Sequence, residues 1–121
     1  MKYHIIILTL FISLLLNASS YEKGKNLYKE KGCGACHGNR LEGMNMYPYL
    51  ANRSKGFLTY KLKGFRAEES FNQQQEMMIP FAIGLSDEDI DYLTTYMNNY
   101  VEEGNTKSYD DSYEVHGDGG S

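Results

Sequence analysis

The chain has 121 residues, two cysteines, no tryptophan and 16 acidic against 12 basic side chains, for a formal charge of −4. That balance excludes nucleic-acid binding through a basic face and favours long-range attraction to basic docking patches on a protein partner. A chain this short holds one domain with little apolar core of its own, so a metal, a cofactor or disulfides should supplement it.

Residues 1–20 read as a signal peptide. Lys2 supplies the positive end, residues 5–16 are apolar apart from Thr9 and Ser13, and Ala18, Ser19 and Ser20 are the small residues a signal peptidase needs. Cleavage is expected near Ser20, which removes Lys2 and makes the mature chain one unit more negative. The apolar run is shorter than the ~20 residues of a spanning helix, which argues against a retained anchor. No cysteine follows the cut to make a lipoprotein.

A first helix is predicted over residues 21–31, with Leu27 and Tyr28 on its apolar face and Gly32 at its end. Directly after it comes Cys33-Gly34-Ala35-Cys36-His37. Two thiols separated by two residues and followed at once by histidine form the attachment signal for c-type haem. Each thiol adds across one haem vinyl group to give a thioether, and His37 is thereby delivered to the iron. Three other readings compete. A dithiol redox motif normally needs a βαβ setting, and a disulfide closing so small a loop adds little stability. A zinc site would have to recruit His116, far along the chain, beside Cys33, Cys36 and His37.

A second helix is predicted over residues 55–66, where Leu58, Leu62 and Phe65 recur at helical spacing and Lys61 and Lys63 face out. Gly64 blurs its end. A short helical turn over residues 68–73 should pack Phe71 inward. The last helix begins at Ser86-Asp87-Glu88-Asp89, which resembles a capping box with acids in the first turn. Ile90, Leu93, Met97 and either Tyr100 or Val101 follow along its buried stripe. From Gly104 the composition turns to Asn, Ser, Asp and Gly, and residues 104–121 are expected to be a disordered acidic tail. With no repeat, no alternating strand pattern and no phosphate-binding glycine loop, the fold class is all-α.

Iron held by His37 needs a ligand on its other face, and after leader removal His116 is the one histidine left to compete. Methionine, a soft thioether donor, fits better. Met44 and Met46 lie too close to His37 in the chain to wrap around the ring, and Met97 belongs to the core stripe. Met77 and Met78 remain, in a loop stiffened by Pro80, which cannot continue a helix. Spacing alone leaves both open.

The stretch from Gly24 through Leu27-Tyr28 to Gly32-Cys33-Gly34-Ala35-Cys36-His37-Gly38 resembles the opening of the class I monohaem cytochromes c of the small soluble bacterial type. Pro48-Tyr49-Leu50-Ala51, the 55–66 helix, and Met77-Met78 followed by Leu85-Ser86-Asp87-Glu88-Asp89-Ile90 are similar to later parts of that family. The resemblance covers residues 21–101. It implies three or four helices wrapped around one covalent haem c, with Met78 in the family's ligand position and Met77 as the alternative. It also implies that the Pro48 carbonyl accepts from the His37 ring, and that the first and last helices cross where Gly24 admits Tyr96. The chain departs from the family in its missing tryptophan and its acidic tail.

The expected function is single-electron transfer between periplasmic redox partner proteins, not enzymatic turnover. Two alternatives stand beside it: a gas sensor or peroxidase-like enzyme with a labile sixth ligand, and the cytochrome subunit of a larger dehydrogenase. The apoprotein should be largely unfolded, because the haem replaces core that the chain lacks.

Overall fold

The computed structural model describes residues 20–103 together with Tyr3 and Ile6. The rest of the expected leader and the tail expected from Gly104 lie outside the described residues. Among the described residues no helix is long and apolar enough to cross a membrane.

Residues 20–103 contain six helical segments and no strand. They are α1 (residues 20–30), α2 (Gly34–His37), α3 (Lys55–Arg66), α4 (Gln73–Glu76), α5 (Ile79–Ala82) and α6 (Asp87–Asn98). The expected all-α architecture is therefore present, with three long helices and three single turns. An isolated antiparallel bridge joins Met44 to Tyr47 in the loop after α2.

The long helices form as their sequences dictate. Ser54 caps α3 by accepting from the Phe57 N–H, and Leu58, Leu62 and Phe65 are buried. The helix runs through Gly64 and ends with Lys63 and Arg66 in its last turn, where the dipole favours cations. At α6, Ser86 accepts from the Asp89 N–H and Asp89 accepts from the Ser86 N–H, both at 3.0 Å. This reciprocal cap is the expected capping box, and Ile90, Leu93, Tyr96 and Met97 bury one face behind it. The helix stops at Asn98 because Asn52 takes up the Asn98 and Tyr100 carbonyls with its side-chain amide. Tyr100 thus packs against the core while Val101 is exposed.

Two local expectations need correction. The short helix is α4, over residues 73–76, because the Asn72 side chain caps it by accepting from the Gln75 N–H at 2.9 Å. Phe71, which precedes that cap, is 80% exposed and lies against the Lys61 ammonium instead of packing inward. Pro80 is in the first turn of α5. A proline there loses nothing, because the first N–H groups of a helix have no partner within it.

α1 and α6 cross at Gly24. A Cβ on that buried glycine would collide with the Tyr92 carbonyl and sit 2.7 Å from the Tyr96 Cβ, so only glycine lets the backbones approach this closely. The Tyr96 ring fills the adjoining space, edge-on to Tyr21, Tyr28 and Tyr100 at centroid distances of 5.1, 5.6 and 5.9 Å. α3 lies on α6, tied by Lys55 to Asp91 and by Arg66 to Asp87, each at 2.7 Å. The Arg66 guanidinium beside Asp87 holds that carboxyl below its ordinary range.

Adding a methyl at the crossing forces the helices apart. Gly24→Ala is expected to cost about 1–3 kcal/mol and Gly24→Val more, read from urea unfolding of the matured protein. An unchanged midpoint in both variants would mean that the crossing is not tight.

Candidate functional site

α1 ends at a left-handed Gly32 (φ 73°), and the Cys33 N–H turns back to the Tyr28 carbonyl at 3.1 Å. The next residues make a single helical turn, closed by His37 N–H to Cys33 O at 3.0 Å and Gly38 N–H to Gly34 O at 2.9 Å. Positions three and four apart in a helix share a face. Cys33, Cys36 and His37 are such positions, and all three line one cavity.

Gly38 ends the turn at φ 86° and ψ 151°, a conformation open in practice to glycine alone. The loop that follows returns to the histidine. The Gly43 N–H donates to the His37 carbonyl at 2.8 Å, and Gly43 is itself left-handed, with no room for a Cβ beside the Tyr47 carbonyl and Tyr49 nitrogen. Leu41 also has a positive φ of 57°, a strain held by complete burial and by two N–H groups, from Leu50 and Ala51, on its carbonyl.

This loop sets the Pro48 carbonyl 2.8 Å from His37 Nδ1. A carbonyl can only accept, so Nδ1 carries a proton, and in the neutral ring Nε2 is then the nitrogen with a lone pair. His37 is buried, with Tyr47 edge-on to its ring. Proline contributes its fixed φ here, since every residue type carries the accepting group.

The cavity has a volume of about 430 Å³, within the ~300–1,000 Å³ of cofactor pockets. Leu50, Leu58, Leu62, Phe65, Leu85, Leu93 and Met97 give it apolar walls. Both Met77 and Met78 reach it from the junction of α4 and α5. Met78 is half-buried and packs on the core. Its N–H is held by Gln75, and its carbonyl accepts from Phe81 and Ala82 at 3.1 Å each. Met77 is 52% exposed. Met97 is in the core as expected, whereas Met46, set aside on chain distance, also reaches the cavity rim and accepts from the Gln74 amide.

Burial pushes the Cys33 thiol up to about 11, the opposite of the depressed value that a reactive dithiol pair requires. Among the described residues no group of three or more His, Cys, Asp or Glu side chains could hold a metal unaided, and His116 lies outside them. Thiols beside a proton-fixed histidine, an apolar chamber and soft sulfur donors suit a large flat metallocycle better than either alternative.

The charged groups at the cavity are Lys31, Arg53 and Lys61, with no carboxylate among the lining residues. Arg53 lies over the Phe57 ring at 4.4 Å and Lys61 over the Phe65 ring at 5.2 Å. From sequence alone the lysines around Lys61 could border a docking face but read more simply as solvated surface; the structure places Lys61 in the cavity lining, with Lys31 and Arg53 brought to it from other segments. A second cavity of about 350 Å³ lies between α1 and residues 100–103, where Lys25 pairs with Glu103 and Arg40 with Glu102.

The cytochrome c family model matches residues 21–100 of this chain. Cytochrome c-554(547) of Halothiobacillus neapolitanus is 32% identical over 82 residues, covering 61% of this chain and 89% of that protein. Cytochrome c-554(548) of Halomonas halodenitrificans is 35% identical over 68 residues, 55% of this chain and 82% of its own length. The matched span contains the whole α2 turn, the loop to Pro48 and both candidate methionines. The chain therefore belongs to the cytochrome c family, as a class I monohaem member with one covalently attached haem c and an electron-transfer role.

Proposed function

We propose that the protein is a periplasmic single-electron carrier, with thioether bonds at Cys33 and Cys36 and the iron held between His37 and Met78. The observation that carries this reading is the hydrogen bond from His37 Nδ1 to the Pro48 carbonyl, which leaves Nε2 as a donor to the chamber that Met78 also lines. A haem held there would supply reversible one-electron chemistry, and with His37 and Met78 both holding its iron it would have no open place for a substrate.

The polypeptide tunes and insulates that chemistry. By drawing on the imidazole proton, the Pro48 carbonyl would make His37 a stronger donor to a bound iron and favour the ferric state. The Met78 thioether is a soft donor and favours ferrous iron. Leu58, Leu62, Phe65 and Leu93 give the chamber apolar walls, which would keep solvent reorganisation small when the charge changes. The anchoring of Met78 by main-chain bonds on both sides supports it over the more exposed Met77.

The periplasmic reading rests on the leader pattern in residues 1–20 and on the need to attach haem after export. The acidic whole attracts basic patches at long range. At closest approach the rim of Lys31, Arg53 and Lys61 favours carboxylates on the redox partner.

Met78→Ala is expected to let the ferrous protein bind carbon monoxide and to lower the reduction potential, while Met77→Ala changes neither. Absorption spectra with and without carbon monoxide decide this, and binding by the unsubstituted ferrous protein would favour the sensor or enzyme reading. Co-purification with a flavin or quinone dehydrogenase would instead favour a subunit of a larger complex.

Lys61→Glu is expected to slow oxidation of the ferrous protein by anionic hexacyanoferrate about threefold or more at low salt, and to speed oxidation by a cationic cobalt complex. Both effects should fade near 1 M salt, where the Debye length is ~3 Å. Equal rates in both proteins would remove the rim from the docking argument.

A further inference from the structure

Tyr28 is 2% exposed and sits in the aromatic cluster of the helix crossing, 5.6 Å from Tyr96. A phenylalanine would fill that space at lower cost, because burying a hydroxyl is unfavourable unless it finds a partner. The Tyr28 hydroxyl has one: it donates to the Gly38 carbonyl at 2.7 Å, ten residues away and within the core. The Tyr28 main-chain carbonyl meanwhile accepts from the Cys33 N–H. One residue thus grips the first thiol position and the residue directly after His37. Its ring also lies against the turn between them, with Cε1 3.4 Å from where a Cβ on Gly34 would be.

The grip falls where the chain is least constrained by its own sterics. Gly38 has no side chain to restrict it and adopts a conformation that other residues avoid. What fixes its outgoing peptide is the pair of donors on its carbonyl, Tyr28 Oη–H and the Leu41 N–H at 3.1 Å. Rotation there would swing the start of the loop that carries Pro48, and the Pro48 carbonyl is the partner that orients the His37 ring.

We propose that Tyr28 is a positioning residue for the iron ligand: its hydroxyl, acting through the Gly38 carbonyl and the loop to Pro48, sets the angle at which the His37 imidazole meets the haem. This rests on His37 being that ligand.

The test compares matured Tyr28→Phe with Tyr96→Phe, which removes a hydroxyl from the same aromatic cluster without touching the motif. In the ferric protein, the pattern of paramagnetically shifted haem-methyl resonances reports the orientation of the axial imidazole. Tyr28→Phe is expected to change that pattern and the reduction potential. It should also raise amide exchange at Leu41 and Gly43 by about threefold to tenfold, the factor expected for one buried hydrogen bond. Tyr96→Phe should leave all three near their starting values.

If Tyr28→Phe lowers only the unfolding temperature, or if Tyr96→Phe shifts the methyl pattern equally, Tyr28 is a packing residue and the inference falls. Should Tyr28→Phe not accumulate, 3-fluorotyrosine at position 28 serves instead. That analogue keeps the ring and is a stronger donor, so it moves the methyl pattern only if the hydroxyl matters. If the unsubstituted protein lacks the resonances of an iron-bound histidine, the ligand assignment itself fails, which is a different result from unchanged spectra in the variant.

Discussion

Helical periodicity places residues three and four apart on one face, and in α2 that rule gathers Cys33, Cys36 and His37 at one edge of the cavity. A single turn is not stable alone, since nucleation costs more than one or two hydrogen bonds return. The surrounding structure supplies what the turn lacks. Gly32 and Gly38 bend the chain sharply at its two ends, and Tyr28 holds it from the side. Tyr28 is in turn held by Tyr96 across the crossing at Gly24. The geometry at the motif thus depends on a contact between the two ends of the described chain.

The energetics point the same way. The side chains that face the chamber are those that would otherwise fill one another's space, and Leu58, Leu62, Phe65, Leu93 and Met97 belong both to the core and to the cavity wall. A group that filled the chamber would therefore pack against the same side chains that build the core, so holding the cofactor and stabilising the fold would rest on one set of residues.

Features encoded by neighbouring residues were legible in the sequence. The attachment motif, the 55–66 helix, the Ser86 capping box and the need for glycine at position 24 are each written within a few positions or carried by a family pattern. Features that depend on distant residues meeting were not. Hydrophobicity points Phe71 inward, yet Asn72 starts a helix just after it and leaves the ring at the surface beside Lys61. Proline breaks helix interiors, but Pro80 is in a first turn, where the rule does not hold. The net charge gave the sign of the whole surface and missed the opposite sign of the rim, where Lys31, Arg53 and Lys61 converge from three segments. Periodicity puts Tyr28 on an apolar face, where it is, but does not reveal where its hydroxyl goes.

The crossing of α1 and α6 has a consequence for the order of events during maturation. Gly24 and Tyr92 lie near opposite ends of the described chain, so their contact closes almost the longest loop available and has a correspondingly large entropic barrier. The turn that carries Cys33, Cys36 and His37 forms from neighbouring residues, whereas its support through Tyr28 and Tyr96 is complete only when α6 docks. The motif is therefore the part of the chain whose final geometry waits longest on the rest, and it stays accessible until the two helices cross.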